Sequence, residues 1–338
     1  MFKFLKKGVS FMMRSTLTLS VVIAGVLAAG CSSTPIVKQE HLTDIMDLPV
    51  SASNPSPRGA DVSKVVIFDV DTSNSGTADK AQAGEPIRFA IDGYLNDAGA
   101  ELVDRTLAAE LKDEVLRAEM GGAGAYKGAP VADYAIKTTV TQASFGTSFT
   151  EASSWTDDDG KRRTTPPKCS YSGKVSISVN VYTVPELTRV KSFRGQGSES
   201  SSEETRNSNC PANGGNLVRA AAKDSVYEVQ EELKAFFSPT GYVLEGYKTS
   251  EGKFVLKTSL TSDLGAKAGG NVRLINVTAD GDRYPVGEGR IGDPVVRSGA
   301  FVVVDDEVIS KVRVGDEVRV DHSCSFMGCN MDSTLGMN

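Results

Sequence analysis

Gly287-Glu288-Gly289-Arg290-Ile291-Gly292 has the G-x-G-x-x-G spacing that lets a backbone close on a pyrophosphate. That chemistry needs a helix directly after the glycines, so that its N-terminus meets the phosphates. Pro294 and the short strand-like segments on either side deny such a helix, and the stretch reads as a hairpin turn. Asp157-x-Asp159-Gly160 offers oxygen ligands for calcium, but Lys161-Arg162-Arg163 follow and no bidentate Glu closes the loop. Cations at those positions repel a cation, so this too reads as a solvated turn. Trp155 stands in the same polar stretch beside Asp and Arg, which makes it the candidate partner-binding residue. Its competing role is to cover a disulfide. His41 and His322 are the only histidines, and both fall near chain ends, where a solvated surface position is expected. Catalysis by His and a His metal site are therefore disfavoured. No Ser-His-Asp set, Cys-His pair or Walker loop is present, and the sequence predicts no metal and no cofactor.

The N-terminus carries a different chemistry. Lys3, Lys6, Lys7 and Arg14 precede an apolar run, Leu17 to Ala29, which ends in Leu27-Ala28-Ala29-Gly30-Cys31. Basic, apolar and small-residue regions in that order describe a secretory signal over residues 1–30. A Cys directly after the small residues resembles the lipobox of bacterial lipoproteins. The resemblance implies a diacylglycerol on the Cys31 thiol, cleavage before it and acylation of the new amine. Three fatty (palmitate-type) chains make a stable anchor, at ~0.8 kcal/mol per buried methylene. Ser32 stands where an Asp would suggest inner-membrane retention, so the expected address is the periplasmic face of the outer membrane. Met12-Met13-Arg14 marks an alternative start.

With Cys31 acylated, four cysteines remain: Cys169, Cys210, Cys324 and Cys329. An even set in an oxidising compartment reads as two disulfides, with three connectivities open. Cys169–Cys210 and Cys324–Cys329 are favoured, because the first pair lies beyond the open end of one hairpin and the second closes a short loop. A metal site is the alternative, but the spacing is not C-x-x-C and no His supports it. Removing residues 1–30 takes away four basic residues and no acidic ones. That leaves 33 Lys plus Arg against 43 Asp plus Glu, a net charge of about −10. Nucleic acid and anionic lipid, which demand clustered positive charge, are disfavoured as partners.

Residues 31–62, rich in Pro, Ser and Asn, read as the lipidated Cys and a flexible tether. Val65-Val66-Ile67-Phe68 has the length and branching of a buried strand, and Ile87 to Ile91 of a second short one. Leu95, Leu102, Val103, Leu107, Leu111, Val115 and Leu116 trace a helical stripe. Tyr134 to Val140 and Val175 to Val181 alternate as half-buried strands, and Pro185-Glu186 turns the second into a hairpin with Arg189 to Gln196. Residues 144–171 between them are a polar excursion. Val218 to Phe236 marks another amphipathic helix, stopped by Pro239. From Gly241 on come short strands: Tyr242 to Tyr247, Lys253 to Ser259, Asn271 to Val277, Ala300 to Val304 and Glu317 to Val320. Residues 240–322 thus read as a small antiparallel barrel, and 323–338 as a tail holding Cys324 and Cys329.

The order strand, helix, strand, hairpin, helix over residues 63–239 resembles the curli-secretion (CsgG-like) outer-membrane lipoprotein family. Lys64 to Asp69 is similar to its opening strand, Val103-Asp104-Arg105 through Glu114 to its helix, and Ala132-Asp133-Tyr134 to its next strand start. Val175 to Thr183 and Leu217 to Leu233 are similar to its later strand and closing helix. The resemblance implies an α+β fold, a CsgG-like sheet with two helices, followed by an all-β module similar to the SH3-like domains of flagellar collar proteins. A curli pore spans the membrane with apolar-faced hairpins of ~9–11 residues per strand. The excursion at 144–171 is too polar to face lipid, so the resemblance points to an accessory role. Phe68-Asp69-Val70-Asp71 also resembles the D-x-D motif of haloacid-dehalogenase phosphatases, in which one carboxylate attacks phosphorus, the other is acid/base and both hold magnesium. Thr72-Ser73 replaces the expected Gly-Thr, and the required alternation of strands and helices is missing.

The sequence therefore predicts a non-enzymatic, lipid-anchored envelope protein that binds other envelope proteins in assembly or secretion, with homo-oligomerisation as one form of it. The alternative is activation of a peptidoglycan synthase, reached through a tether of at most ~3.5 Å per residue, about 100 Å in all.

Overall fold

A computed structural model describes residues 34–322 apart from 58, 104–110, 112, 114, 116–131 and 211–212. Cys31, Cys324 and Cys329 lie outside the described residues, as do Leu107 and Leu116 of the helical stripe. The fold is α+β, with a mixed five-stranded sheet carrying helices and a separate, barrel-like seven-stranded sheet.

In the first module β2 (Lys64–Ile67) lies parallel to β3 (Glu101–Leu102) and to β4 (Tyr134–Thr150). β4 then pairs antiparallel with β7 (Lys168–Thr183), and β7 with the edge strand β8 (Arg189–Glu204). Four helices cover one face: α1 (Gly76–Lys80), α2 (Gly84–Ala98), α3 (Gly215–Tyr227) and α4 (Gln230–Phe237). Ile87, Ile91 and Leu95 of α2 and Val218, Ala222 and Val226 of α3 meet Val140, Ile177 and Val179 of the sheet in one buried core.

Three expectations need correction here. Ile87 to Ile91 is not a strand, because Ile87, Ile91, Leu95 and Ala98 are spaced for one helical face and all are buried in α2. The stripe from Leu95 to Leu116 is not one helix either. Gly99 at φ 88 ends α2, and Leu102 belongs to β3. Leu111 and Val115 are helical and buried, on the sheet's other face with Val66, Ala135 and Tyr182. The second amphipathic helix is two helices, α3 and α4, which meet at Glu228-Val229.

The second module comprises β9 (Gly241–Thr249), β10 (Phe254–Thr258), β11 (Asn271–Val277), β12 (Arg283–Ile291), β13 (Ala300–Val304) and β14 (Glu317–Val320). Their order β9-β10-β13-β12-β11-β14, closed by β14 on β9, makes a ring around Leu256, Leu260, Leu274, Ile291 and Val302. The glycine motif is not a turn: its residues 287–291 are the second half of β12, and Gly292 follows directly after the strand. A Cβ on Gly287 would sit 2.5 Å from Val308 and one on Gly289 2.4 Å from Val302, so these glycines let the barrel close.

Residues 34–62 are not a flexible tether. β1 (Leu42–Met46) pairs with β9, and Ile36, Val50 and Asp61 form bridges with Asp293, Val314 and Thr240. Val37 and Leu48 are buried against the barrel. Proline, serine and asparagine suit a strap that crosses a sheet's outside, where few amides need partners. The ~100 Å reach of a free tether is therefore spent on the barrel wall.

Candidate partner-binding arm

The strands β4, β7 and β8 run on well past the core. Val175, Ile177 and Val179 lie under the helices, whereas residues 168–174 of β7 and 198–204 of β8 are mainly Ser, Lys, Gly and Glu with paired backbones. The polar excursion of 144–171 is thus largely ordered strand, since β4 pairs with β7 as far as Thr150↔Lys168. A register shift between Val140 and Gln142 comes shortly before β4 leaves the core, with Ala143 and Phe145 still packed against it.

One apolar patch braces this extension. Cys169 and Cys210 form a disulfide with Cα atoms 5.5 Å apart, buried with Tyr171 and packed against Phe145, Phe149 and Leu217. Phe145 and Tyr171 stack with centroids 6.5 Å apart, and the Tyr171 hydroxyl donates to Glu203 at 2.6 Å. That hydrogen bond to a carboxylate raises the phenol above its ordinary range. The loop after β8 is thereby fastened over β7.

Beyond Thr150 the arm narrows to a hairpin of β5 (Ser153–Thr156) and β6 (Arg162–Thr165). Pro166-Pro167, which lack amide donors, separate it from β7. Asp157 holds its turn: its carboxylate accepts from the Lys161 amide at 2.8 Å and from Arg163 Nε at 2.9 Å. Those bonds pull the carboxyl below its usual range. The Asp157-x-Asp159-Gly160 segment therefore spends its first carboxylate on the turn. Trp155 sits opposite Arg163, 52% exposed, and takes no part in the apolar patch around the disulfide. Its exposure is not explained by covering that bond.

The outer edge of β8 is treated differently along its length. The amide of Gln196 donates to the Glu228 carboxylate, and that of Ser198 to Asp224 at 3.1 Å. These two side chains from α3 and its C-cap occupy donors that an added strand would otherwise use. Ser200, Ser202 and Glu204 follow in the same outward register, and no such carboxylate meets them among the described residues. Asp224 and Glu228 were invisible to sequence reasoning, because only the packing of α3 on β8 brings them to this edge.

The remaining candidates are placed elsewhere. Asp69 pairs with Arg88 at 2.8 Å, while the Asp71 carboxylate accepts from the Ser73 amide at 3.0 Å and hydroxyl at 2.6 Å. No group of three His, Cys, Asp or Glu suited to a metal occurs among the described residues. At the barrel, a cleft of about 470 Å³ is lined by Ser53, Asp61, Tyr242 and Glu317. Tyr242 donates to Asp61, and burial raises this phenol, with Asp61 adding to the effect. Arg283 holds Glu317 at 3.0 Å within the barrel, so of these contacts the Tyr242–Asp61 bond is the one that ties strap to barrel.

No protein-family model matches the chain, and no curated protein matches it. Among solved structures it is similar to a PelC dodecamer from Paraburkholderia phytofirmans, at 13% identity and TM-score 0.23, over 55% of this chain and 97% of that one. A hypothetical protein, CT253 from Chlamydia trachomatis, aligns at 10% identity and TM-score 0.26, over 51% and 98%. Lipoprotein GNA1162 from Neisseria meningitidis aligns at 15% and 0.17, over 46% and 90%. TM-scores this low do not define a shared fold.

Proposed function

We propose that this chain is a CsgG-like outer-membrane lipoprotein, held on the periplasmic side by acylated Cys31. It works without catalysis, as an assembly or secretion accessory that binds an envelope protein along its arm. One observation carries the reading. The edge of β8 is blocked by carboxylates next to the core and open beyond Ser198, in the stretch where Tyr171 of the disulfide patch donates to Glu203. An extended segment of a partner can add to such an edge through main-chain hydrogen bonds. Trp155 supplies an exposed aromatic further out.

Photo-crosslinking in intact cells tests this. A benzophenone amino acid at Ser202 or Trp155 is expected to give a discrete adduct with another envelope protein, and one at Gly252 on the barrel none. Replacing residues 151–167 by an Asn-Gly turn keeps β4 and β7 joined. If that variant, together with Ser202→Pro, recovers the same partners from native membranes as the parent chain, the arm is not the binding element.

A further inference from the structure

The strap fixes where an anchor at Cys31 must hold the molecule. From Thr34 onward the chain is tied to the barrel: the Val37 amide donates to the Asp293 carbonyl at 2.8 Å, and the Asp293 amide to that of Pro35 at 2.8 Å. A Cβ on Gly269 would lie 2.7 Å from Thr34 Oγ1, and one on Gly292 2.4 Å from Val37. Only Ser32 and Ser33 separate Thr34 from Cys31. Three Cα–Cα steps of ~3.8 Å reach about 11 Å at most. The headgroup layer on one side of a bilayer is itself about 5–8 Å thick.

The surface around this attachment has the side chains of a headgroup contact. Ile36 is 73% exposed and Val296 36%, two branched apolar residues on adjoining segments. Lys38 and Arg297, close to them along the chain, stand exposed as well. Long basic side chains lay their stems on apolar surface and keep their charge at the headgroups. Asp293 and Glu40, which lies 3.9 Å from Lys38, offset much of that positive charge. The contact therefore rests on apolar area and the short linker rather than on anionic lipid.

We infer that the barrel face bearing Ile36 and Val296 lies on the headgroup layer of the bilayer that holds Cys31, so that the barrel and not a tether sets the molecule's position. This rests on the reading of Cys31 as the acylated residue. Tyr284, 55% exposed, lies toward the opposite end of β12 from Gly292, roughly 25 Å away at ~3.3 Å per residue. It serves as the internal comparison.

The acylated chain is purified from membranes and placed in phosphatidylethanolamine/phosphatidylglycerol vesicles containing a shallow spin-labelled lipid. In a Trp155→Phe background, Ile36→Trp and, separately, Val296→Trp are expected to be quenched at least twofold more than Tyr284→Trp. Equal quenching at all three, with mass spectrometry showing an acylated Cys31, overturns the membrane-facing barrel and leaves the lipoprotein reading standing. An unacylated Cys31 overturns both.

Discussion

At the scale of single residues, Gly195 and Gly197 decide whether the first module can close. A Cβ at Gly197 would lie 2.0 Å from the Ala221 carbonyl oxygen, and one at Gly195 1.9 Å from that of Ser225. Helix α3 thus rests on the backbone of β8, close enough for Asp224 to reach the Ser198 amide. Neither neighbour is a flexible side-chain end, so an added methyl must push the helix off the sheet. Gly197→Ala is expected to destabilise the chain by about 1–3 kcal/mol, read as a fall of the thermal midpoint. Gly93 gives the opposite case. It lies inside α2 with nothing within 4 Å of its Cβ position, so Gly93→Ala is expected to stabilise by about 0.5–1 kcal/mol. Equal effects from the two substitutions would refute the close-packing account. Neither glycine role can be read from the sequence, since Gly-Gln-Gly in a strand and Gly in a helix look alike as breakers until the partner surface is known.

Elements were legible where one face is apolar and the other polar. Val175 to Val181 alternates, and β7 lies there with its valines and Ile177 buried. Asn271–Val277, Ala300–Val304 and Glu317–Val320 carry the expected bounds. Legibility failed where burial does not sort the residues. The outer half of β8 is Ser, Gly and Glu on both faces, and in that of β4 only Ala143, Phe145 and Phe149 break a run of Gln, Ser, Gly and Thr, so pairing leaves little period-two signal. Ile87 and Ile91 by themselves fit a helix and a short strand alike, and only their continuation to Leu95 and Ala98 separates the two. The strap failed for composition: its few apolar anchors, Val37 and Leu48, are outnumbered by turn formers. Of the candidate site, the disulfide and Trp155 were visible, while the blocked and open stretches of the β8 edge were not. The disulfide itself gives a test at this scale. It closes a 41-residue separation, and removing such a link costs about 4 kcal/mol in chain-entropy terms. Joint Cys169→Ser and Cys210→Ser replacement is expected to lower stability by about 2–4 kcal/mol, with hydrogen exchange rising first in residues 145–149 and 168–174. Uniform exchange across the sheet instead would mean that the bond braces the core and not the arm.

For the whole molecule, the two modules meet where α2 ends. A Cβ on Gly99 would lie 2.6 Å from the Leu264 backbone, and one on Gly265 3.0 Å from the Ala98 carbonyl oxygen. His322, expected to be a solvated surface residue, lies half-buried at this junction, 3.4 Å from Ser238 Oγ. The reason is topological: β14 ends beside β11, and the Asp321 amide donates to the Asn271 carbonyl at 2.8 Å, which holds the chain against the first module. Burial, aided by the charges of Lys234 and Lys267 and opposed by Asp321 and Asp97, pulls the imidazole down to about 4. The sign follows from linkage. Between pH ~6.5 and ~4 the unfolded chain binds a proton at His322 that the folded chain does not, so stability falls as pH drops through that window. Above pH ~6.5 both states hold the neutral ring and the effect vanishes. With partial exposure discounted, the loss is on the order of 2 kcal/mol. Urea unfolding of the parent chain is expected to steepen its pH dependence between 6.5 and 4 relative to His322→Asn, which lacks the titrating ring. Parallel profiles for the two chains would show that His322 is solvated, and that the modules do not pack against its ring.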